Sequence, residues 1–208
     1  MNAGTYKTEQ EDFWAGEFGN EYIGRNDESK WIASRTHMFA EILGRTRNVG
    51  SFLELGANVG QNLMALRQLR PQAVFSAVEI NDNAFSRLEK LGWVEAHHGS
   101  LLEKTFKDKA DFVFTSGVLI HINPDFLSEV YESMYAASRR YICVIEYFNP
   151  SPVAILYRGH QQRLFKRDFA GEMMDTYPAL RLVDYGFVYS RDSNFPLDNL
   201  NWFLLEKT

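Results

Sequence analysis

The sequence feature that most constrains the fold is a glycine-spaced turn within residues 52–62, FLELGANVGQN. An apolar run carries Glu54 near its end, the turn follows, and leucines then recur at helical spacing. This order predicts a strand, a loop and a helix. Gly56 can adopt the positive φ of a tight turn, and Gly60 lets the helix start approach a ligand or the strand closely. We therefore expect this loop to cradle a cofactor.

Two classes of cofactor use this strand–loop–helix unit, the dinucleotides and S-adenosylmethionine. A dinucleotide fingerprint reads G-x-G-x-x-G, and here Asn58 and Gln61 stand at its second and third glycine positions. The pattern instead resembles the E/D-x-G-x-G-x-G signature of class I S-adenosylmethionine-dependent methyltransferases, with Asn as the middle residue, a non-glycine type that tolerates the left-handed region. The resemblance assigns these loop residues to S-adenosylmethionine: Glu54, Gly56, Ala57, Asn58 and Gly60.

Composition limits the partners of the chain. Its 208 residues suit one α/β domain, and the net charge of -5, without a basic stripe, argues against a nucleic-acid substrate. No apolar stretch reaches the ~20 residues of a membrane span, so we expect a cytoplasmic protein without membrane attachment. Cys143 lies in an apolar run and suits a buried, inert thiol, and no spacing of His or Cys predicts a metal site.

The second and third predicted strands supply further cofactor contacts. Glu79 lies 25 positions after Glu54 (79 minus 54), near the offset at which an acid can bind both ribose hydroxyls. The methyltransferase resemblance adds Ile80 beside Glu79, and it places Ser100 and Leu101 against the adenine.

Residues 111–124, DFVFTSGVLIHINP, resemble the fourth-strand motif of the same family. The resemblance implies that Ser116, Gly117 and His121 face the transferred methyl group, with His121 as a base. A local hydrogen bond that holds the loop is an equally good interpretation of this histidine. The chain plan predicts a Rossmann-like class I methyltransferase fold with a mostly parallel seven-stranded sheet and a C-terminal antiparallel hairpin. We expect a single domain over 1–208, with N-terminal helices and a lid in 1–50 and the core in 51–208.

Two segments resist assignment to regular elements. Residues 16–26 are rich in glycine and aromatics and suit a lid, on which Tyr22 and Arg25 would reach the cofactor carboxylate. Residues 157–169 are polar and aromatic, and five residues of 157–167 are Arg, Lys or His. This charge predicts a small anionic substrate, although a solvated basic face remains open. The residues assigned to hold that charge are Arg158, Arg163, Lys166 and Arg167, with His160 as a second base and Glu146 and Tyr147 as orienting groups.

A narrower resemblance covers both of these segments. Residues 13–26, together with 157–160 and 164–172, are similar to the methylases associated with pseudaminic acid biosynthesis. This resemblance implies an acceptor among the sugars or nucleotide-sugars of that pathway. An NAD-dependent dehydrogenase and a non-catalytic S-adenosylmethionine-binding protein remain as alternatives.

Overall fold

The computed structural model describes residues 6–26, 30–103 and 109–208, without the side chains of residues 25, 26 and 30. A seven-stranded sheet forms the centre, with strand order β3-β2-β1-β4-β5-β9-β8. Its strands are β1 (Ser51–Leu55), β2 (Val74–Glu79), β3 (Val94–His98), β4 (Ala110–Ser116), β5 (Ser138–Glu146), β8 (Leu180–Phe187) and β9 (Asn201–Lys207). The first five run parallel, whereas β9 is antiparallel to both β5 and β8. The predicted fold class is confirmed.

Strand order places a crevice at the centre of the sheet. The chain runs outward from β1 through β2 to β3 and then returns to β4, on the other side of β1. The connections after β1 and β4 therefore leave in opposite directions. Open α/β sheets bind their ligands at the carboxyl ends of the strands beside such a switch point.

Seven α-helices complete the described part of the chain: α1 (Glu9–Ala15), α2 (Glu17–Asn26), α3 (Lys30–Leu43), α4 (Gln61–Leu69), α5 (Asp82–Glu89), α6 (Leu127–Ala137) and α7 (Phe169–Thr176). A capping box begins α1, because Thr8 and Glu11 each accept a backbone N–H of the other. Asn81 caps α5 and Asp168 caps α7, as their residue types predict.

The sheet buries an apolar cluster on each face because successive strand residues point to opposite sides. Phe52 packs with Phe39 and Phe112 on one face, and Leu53 packs with Val113 on the other. These phenylalanines are fully buried and lie in aromatic contact, with ring centroids 5.5 Å apart for Phe52 and Phe112. The strands that carry the site loops therefore rest on a core that is packed from both sides.

Two segments differ from the sequence expectation. The expected irregular lid of residues 16–26 is largely the helix α2. Residues 153–166 form a separate antiparallel pair, β6 (Val153–Tyr157) and β7 (His160–Lys166). Arg158 and Gly159 have φ angles of 48° and 86°, as a two-residue type I′ hairpin turn requires. Arginine is a rare residue at the first of these positions, and β6 is mostly exposed, so neither the usual turn signal nor an apolar run marked this hairpin.

A transmembrane segment needs a long apolar helix. Across residues 6–26, 30–103 and 109–208, no helix has the length and hydropathy to span a membrane.

Candidate functional site

The glycine-spaced loop adopts the left-handed backbone that its sequence suggests. The φ angles are 79° at Gly56, 50° at Asn58 and 81° at Gly60. Asparagine thus takes the glycine-like conformation that the departure at position 58 requires. A Cβ at Gly56 would lie 2.6 Å from Cγ2 of Val118, and one at Gly60 would lie 2.9 Å from a methyl carbon of Leu88. Both glycines are therefore needed for close packing as well as for backbone geometry.

Glu79 joins the loops after β1 and β2. Its Oε2 atom accepts the backbone N–H of Asn58 at 2.7 Å, and its Oε1 atom accepts that of Asn81 at 2.8 Å. Burial raises the pKa of the Glu79 carboxyl, and these hydrogen bonds oppose that rise. A carboxylate has about four lone-pair sites, so Glu79 can still accept a hydrogen bond from a ligand.

A buried polar chain lies beneath the glycine loop. Asn62 on α4 donates to Glu54 Oε1 at 2.6 Å and accepts from Arg35 Nη1 at 2.7 Å. Glu54 Oε2 and Arg35 Nε are buried without a hydrogen-bond partner among the described residues. Burial raises the pKa of Glu54 to about 8, so the Glu54 carboxyl is largely neutral at pH 7 and the guanidinium of Arg35 carries the local charge.

The loop after β3 meets the N-terminal helix. Ser100 is buried, and its hydroxyl donates to Oε1 of Glu11 on α1 and accepts the N–H of Leu102 at 2.9 Å. Glu11 therefore adds an acid beside this loop, where the sequence suggested only a hydroxyl.

The loop after β4 is held by Glu146. Its carboxylate accepts the N–H groups of Val118 and Leu119 at 3.0 and 3.1 Å, and that of Ile120 at 3.4 Å. Burial raises the pKa of Glu146 to about 7. Glu146 is 2% exposed, so it supports the loop from beneath. It is not positioned to contact an acceptor directly.

His121 ends the short 3-10 helix Leu119–His121 and faces the pocket. Its Nδ1 atom lies 2.6 Å from the carbonyl oxygen of Arg163 on β7. A carbonyl oxygen only accepts, so Nδ1 carries the hydrogen and Nε2 is the acceptor of the neutral ring. Burial lowers the pKa of His121 to about 4. His121 can therefore both hold the loop and act as a base, because only Nδ1 is used in the loop contact and Nε2 is left to accept a proton.

One pocket gathers most of the cofactor residues assigned from the sequence. Its lining includes Tyr22, Glu54, Gly56, Ala57, Asn58, Glu79, Ile80, Ser100, Leu101, Ser116 and Gly117. Gly60 lies just behind it as the N-cap of α4. The side chain of Arg25 falls outside the described part of the structure. Burial raises the pKa of Tyr22 to about 12, so its hydroxyl stays protonated.

Several pocket residues were not assigned to the site from the sequence. These residues include Arg35, Gln10, Glu11, Trp14 and Asn62. A charged residue within the apolar stripe of a helix was the available signal for Arg35. The residues of α1 carry no comparable signal, since they reach the pocket through tertiary packing.

Aromatic rings connect α1, α2 and the β6–β7 pair near His121. The ring of Trp14 lies 4.4 Å from that of His121 and 5.2 Å from that of Tyr22, and His121 lies 5.1 Å from Tyr157. His160 packs on Phe13 at 5.0 Å outside the pocket lining. These rings form one wall beside the loop after β4.

The four basic residues assigned to the substrate lie outside this lining. Arg167 donates to Glu172 at 2.7 Å, and Arg163 pairs with Glu9 at 3.2 Å. The ammonium of Lys166 lies 4.9 Å above the ring of Tyr147, whose pKa burial raises above its usual range, and exposed Arg158 lies 5.8 Å from the ring of Tyr157. No group of three or more His, Cys, Asp or Glu residues is arranged to hold a metal ion in the portion of the chain that the structure describes.

Several solved structures with the same architecture are methyltransferases. The glycopeptide N-methyltransferase MtfA complexed with S-adenosylmethionine matches at 11% identity and a TM-score of 0.63, over 83% of this chain and 87% of that chain. CalS10, an amino pentose methyltransferase from Micromonospora echinaspora, matches at 12% and 0.63, over 92% and 96%. Magnesium protoporphyrin IX methyltransferase (ChlM) from Synechocystis PCC 6803, with bound SAH, matches at 11% and 0.68, over 95% and 97%.

No known family profile matches the sequence, and no curated protein matches it. At sequence identities of 11 and 12%, the structural similarity shows a shared fold and nothing more specific. The chain has the Rossmann-like methyltransferase fold.

Proposed function

We propose that this protein is an S-adenosylmethionine-dependent methyltransferase that acts on a small anionic acceptor. The observation that carries the proposal is the convergence of the left-handed glycine loop, Glu79 and the loop after β4 on one pocket at the switch point of the sheet. MtfA and CalS10, which share this architecture, are complexed with S-adenosylmethionine. Asn58 and Gln61 disfavour the dinucleotide alternative, because they replace two of its three glycines.

The pocket offers a partner for each polar part of this cofactor. Glu79 suits the ribose hydroxyls through its remaining lone pairs. Arg35 suits the α-carboxylate, because its buried guanidinium lacks an ionised partner at close range and its Nε is unpaired within the described residues. The unpaired Oε2 of Glu54 suits the ammonium group, whose positive charge would favour ionisation of this carboxyl when the cofactor binds. Arg35 thus takes the role that was predicted for Arg25 from the sequence, with Tyr22 beside it.

His121 is the base that we propose. The cofactor supplies an electrophilic methyl group, so the protein must hold a nucleophile in line with it and accept a proton. The backbone carbonyl of Arg163 fixes the His121 tautomer and leaves Nε2 free to accept. The low pKa of His121 keeps Nε2 unprotonated at pH 7 but makes it a weak base, which suits a hydroxyl or amine whose proton leaves as attack proceeds.

The acceptor side lies between Tyr157, Tyr147 and the basic residues of β6–β7. Arg158 and Lys166 rest against tyrosine rings and can reach an anionic group, whereas Arg163 and Arg167 are occupied by Glu9 and Glu172. We propose an acidic sugar or nucleotide-sugar, such as a compound of the pseudaminic acid pathway. MtfA, CalS10 and ChlM are named for small or peptide-borne acceptors, which is compatible with a sugar. We further propose that residues 1–208 act as one domain in the cytoplasm.

Two measurements test the proposal. Binding calorimetry should detect S-adenosylhomocysteine and not NADH. Methyl-labelled S-adenosylmethionine should then transfer label to one member of a panel of acidic sugars, nucleotide-sugars and their neutral counterparts. Tight NADH binding without S-adenosylhomocysteine binding would establish the dehydrogenase alternative. Cofactor binding without transfer to any acceptor would support the non-catalytic one.

A His121→Asn variant tests the base. Asparagine Nδ2 can replace the hydrogen bond to the Arg163 carbonyl but cannot accept a proton. We expect a fall in turnover of about 100-fold with little change in cofactor affinity. Undiminished turnover would leave His121 with the loop-holding role alone.

A further inference from the structure

Residues 99–102, the part of the loop after β3 that lines the pocket, carry no acid, and α1 brings one to them. Residues 99–102 read Gly-Ser-Leu-Leu, and Ser100 is 1% exposed. Its hydroxyl hydrogen is directed to Oε1 of Glu11, so Ser100 can offer a ligand only its remaining lone pair. The stronger acceptor at this end of the pocket is therefore the Glu11 carboxylate.

Glu11 is held in place by local and tertiary contacts. Its Oε2 atom accepts the Thr8 N–H at 2.8 Å and the Thr8 hydroxyl at 3.0 Å, as part of the capping box. At the other end of α1, Asn81 donates to the carbonyl oxygens of Trp14 and Ala15 at 3.2 Å. Helix α1 is thereby fixed to the end of β2, and Glu11, 6% exposed, lines the pocket.

An acceptor without a partner lies next to Glu11 in the chain. Gln10 also lines the pocket, and its Nε2 donates to the carbonyl oxygen of Gln162 at 3.0 Å. Since that carbonyl can only accept, the orientation of the amide is determined. Gln10 Oε1 is buried without a partner among the described residues. Gln10 and Glu11 thus both bring acceptor oxygens to the pocket, which calls for a ligand that carries hydrogen-bond donors.

We propose that Glu11 accepts a hydrogen bond from the 6-amino group of the cofactor adenine, so that α1, outside the Rossmann-like core, determines base specificity. This assignment rests on the proposed cofactor. The 6-amino group is the only strong donor on the adenine base, and Leu101 and Leu102 supply apolar surface for its ring. Oε1 of Glu11 has a lone pair left after its bond with Ser100.

The test compares two ligands by calorimetry: S-adenosylhomocysteine and its purine analogue, in which hydrogen replaces the 6-amino group. The wild-type protein should bind the adenine compound about 10- to 100-fold more tightly, as expected for a hydrogen bond to a charged group. Glu11→Gln preserves shape but removes the charge, and it should reduce that preference severalfold. Most of the lost affinity should be affinity for the adenine compound.

Two further variants separate base recognition from support of α1. Thr8→Ala weakens the N-cap without changing the acid, so both ligands should lose affinity by the same factor and the preference should stay. Ser100→Ala leaves the Glu11 carboxylate in place and should retain most of the preference. Circular dichroism and thermal unfolding would show that each variant is folded.

The outcomes are distinguishable. If the preference for the adenine compound is unchanged in Glu11→Gln, Glu11 does not recognise the base, although the cofactor site is correct. The same conclusion follows if Ser100→Ala removes the preference instead. If Glu11→Gln weakens both ligands equally, Glu11 is structural and the proposal is wrong. If the wild-type chain binds neither compound, the proposed cofactor is wrong, and the role of Glu11 is rejected with it.

Discussion

The two ends of the pocket are held together by different kinds of contact. At the cofactor end, backbone groups bind neighbouring loops: the N–H groups of Gly56 and Ala57 both donate to the Val78 carbonyl, and that of Gly99 donates to the Glu79 carbonyl, all within 3.0 Å. At the acceptor end, α1 and β7 meet through side chains, including Gln10 with Gln162 and Arg163 with Glu9. The Phe13 ring also contacts the guanidinium of Arg163 at 5.4 Å.

This difference implies different tolerance to substitution. Backbone contacts between packed loops require particular φ angles and close approaches, so a single added carbon atom has a large effect. Partly exposed side-chain contacts are individually weak, and neighbouring groups can replace them. We therefore expect the cofactor end to be rigid and the acceptor end to be adaptable, and each prediction below tests one side of that comparison.

The largest expected effect is at Gly56. Alanine there would combine the left-handed strain, about 1–2 kcal/mol, with overlap against Val118, about 1–3 kcal/mol. We expect the affinity for S-adenosylhomocysteine to fall by about 100-fold or more, measured by calorimetry.

Two variants separate these causes. Gly92→Ala introduces left-handed strain alone, because φ is 69° and nothing lies within 4 Å of the added carbon, so it should cost stability but little affinity. The double variant Gly56→Ala with Val118→Ala should recover part of the binding. An unchanged affinity for S-adenosylhomocysteine in the Gly56→Ala protein would show that the loop after β4 moves easily. That result would contradict the proposed rigidity.

Arg35 should give the next largest effect. Arg35→Met keeps the length of the side chain but removes the proposed partner of the cofactor carboxylate. Affinity for S-adenosylhomocysteine should fall about 10- to 100-fold, whereas 5′-methylthioadenosine, which lacks the amino-acid part, should bind the variant as it binds the wild type.

The matched control for this experiment is Arg67→Met on α4. Arg67 stacks 4.3 Å from the ring of Trp93 and lies outside the pocket lining. Arg67→Met should change the affinity for neither S-adenosylhomocysteine nor 5′-methylthioadenosine. An equal loss for both ligands in Arg35→Met would mean that Arg35 supports the loop through Asn62 and does not contact the carboxylate.

The same contrast explains what the sequence could predict. The glycine loop, Glu79 and the sheet order depend on local patterns, such as φ-permissive residues between an apolar strand and an amphipathic helix, and these patterns lie within a few dozen residues. The sequence therefore predicted the fold and many of the residues that line the pocket.

The missed residues depend on contacts between distant parts of the chain. Glu11 meets Ser100 across 89 positions, and Gln10 meets Gln162 across 152. No periodicity or spacing encodes such pairings. Glu146 and Tyr147 were placed at the correct strand end, but strand alternation sends the carboxylate of Glu146 beneath the next loop, where three N–H groups bind it.

Glu54 should make the stability of the protein depend on pH. Burial raises its pKa from 4.5 to about 8, so the folded state binds a proton more tightly than the unfolded state. This contribution is present in full below pH 4.5 and is lost as pH rises towards 8. Between pH 7 and 8 the free energy of unfolding should fall by up to about 1.4 kcal/mol.

Denaturant titrations at several pH values measure this slope, and Glu54→Gln should flatten it. Glu146 and His121 act mainly at lower pH, whereas Glu79, whose pKa burial also raises, can add to the same slope. The pKa of Glu146 is about 7, and that of His121 is lowered to about 4, so His121 changes stability only below its unfolded value of about 6.5. A slope between pH 7 and 8 that persists in the variant would assign the proton to another group.

The smallest expected effect is at the acceptor end, in the ion pair of Glu9 with Arg163. The Glu9 side chain is 81% exposed, so water and salt screen its charge, and Glu9→Gln should change the free energy of unfolding by less than about 0.5 kcal/mol. Gln10→Ala is the matched comparison. Gln10 follows Glu9 on the same helix and reaches the same strand, but Gln10 is only 6% exposed. Losing this part-buried hydrogen bond should cost about 0.5–1.5 kcal/mol, because the Gln162 carbonyl keeps a second donor, Arg163 Nη1 at 3.1 Å. If Glu9→Gln proves the more damaging of the two, charge and not buried hydrogen bonding joins α1 to the hairpin, and the acceptor end should then loosen as ionic strength rises.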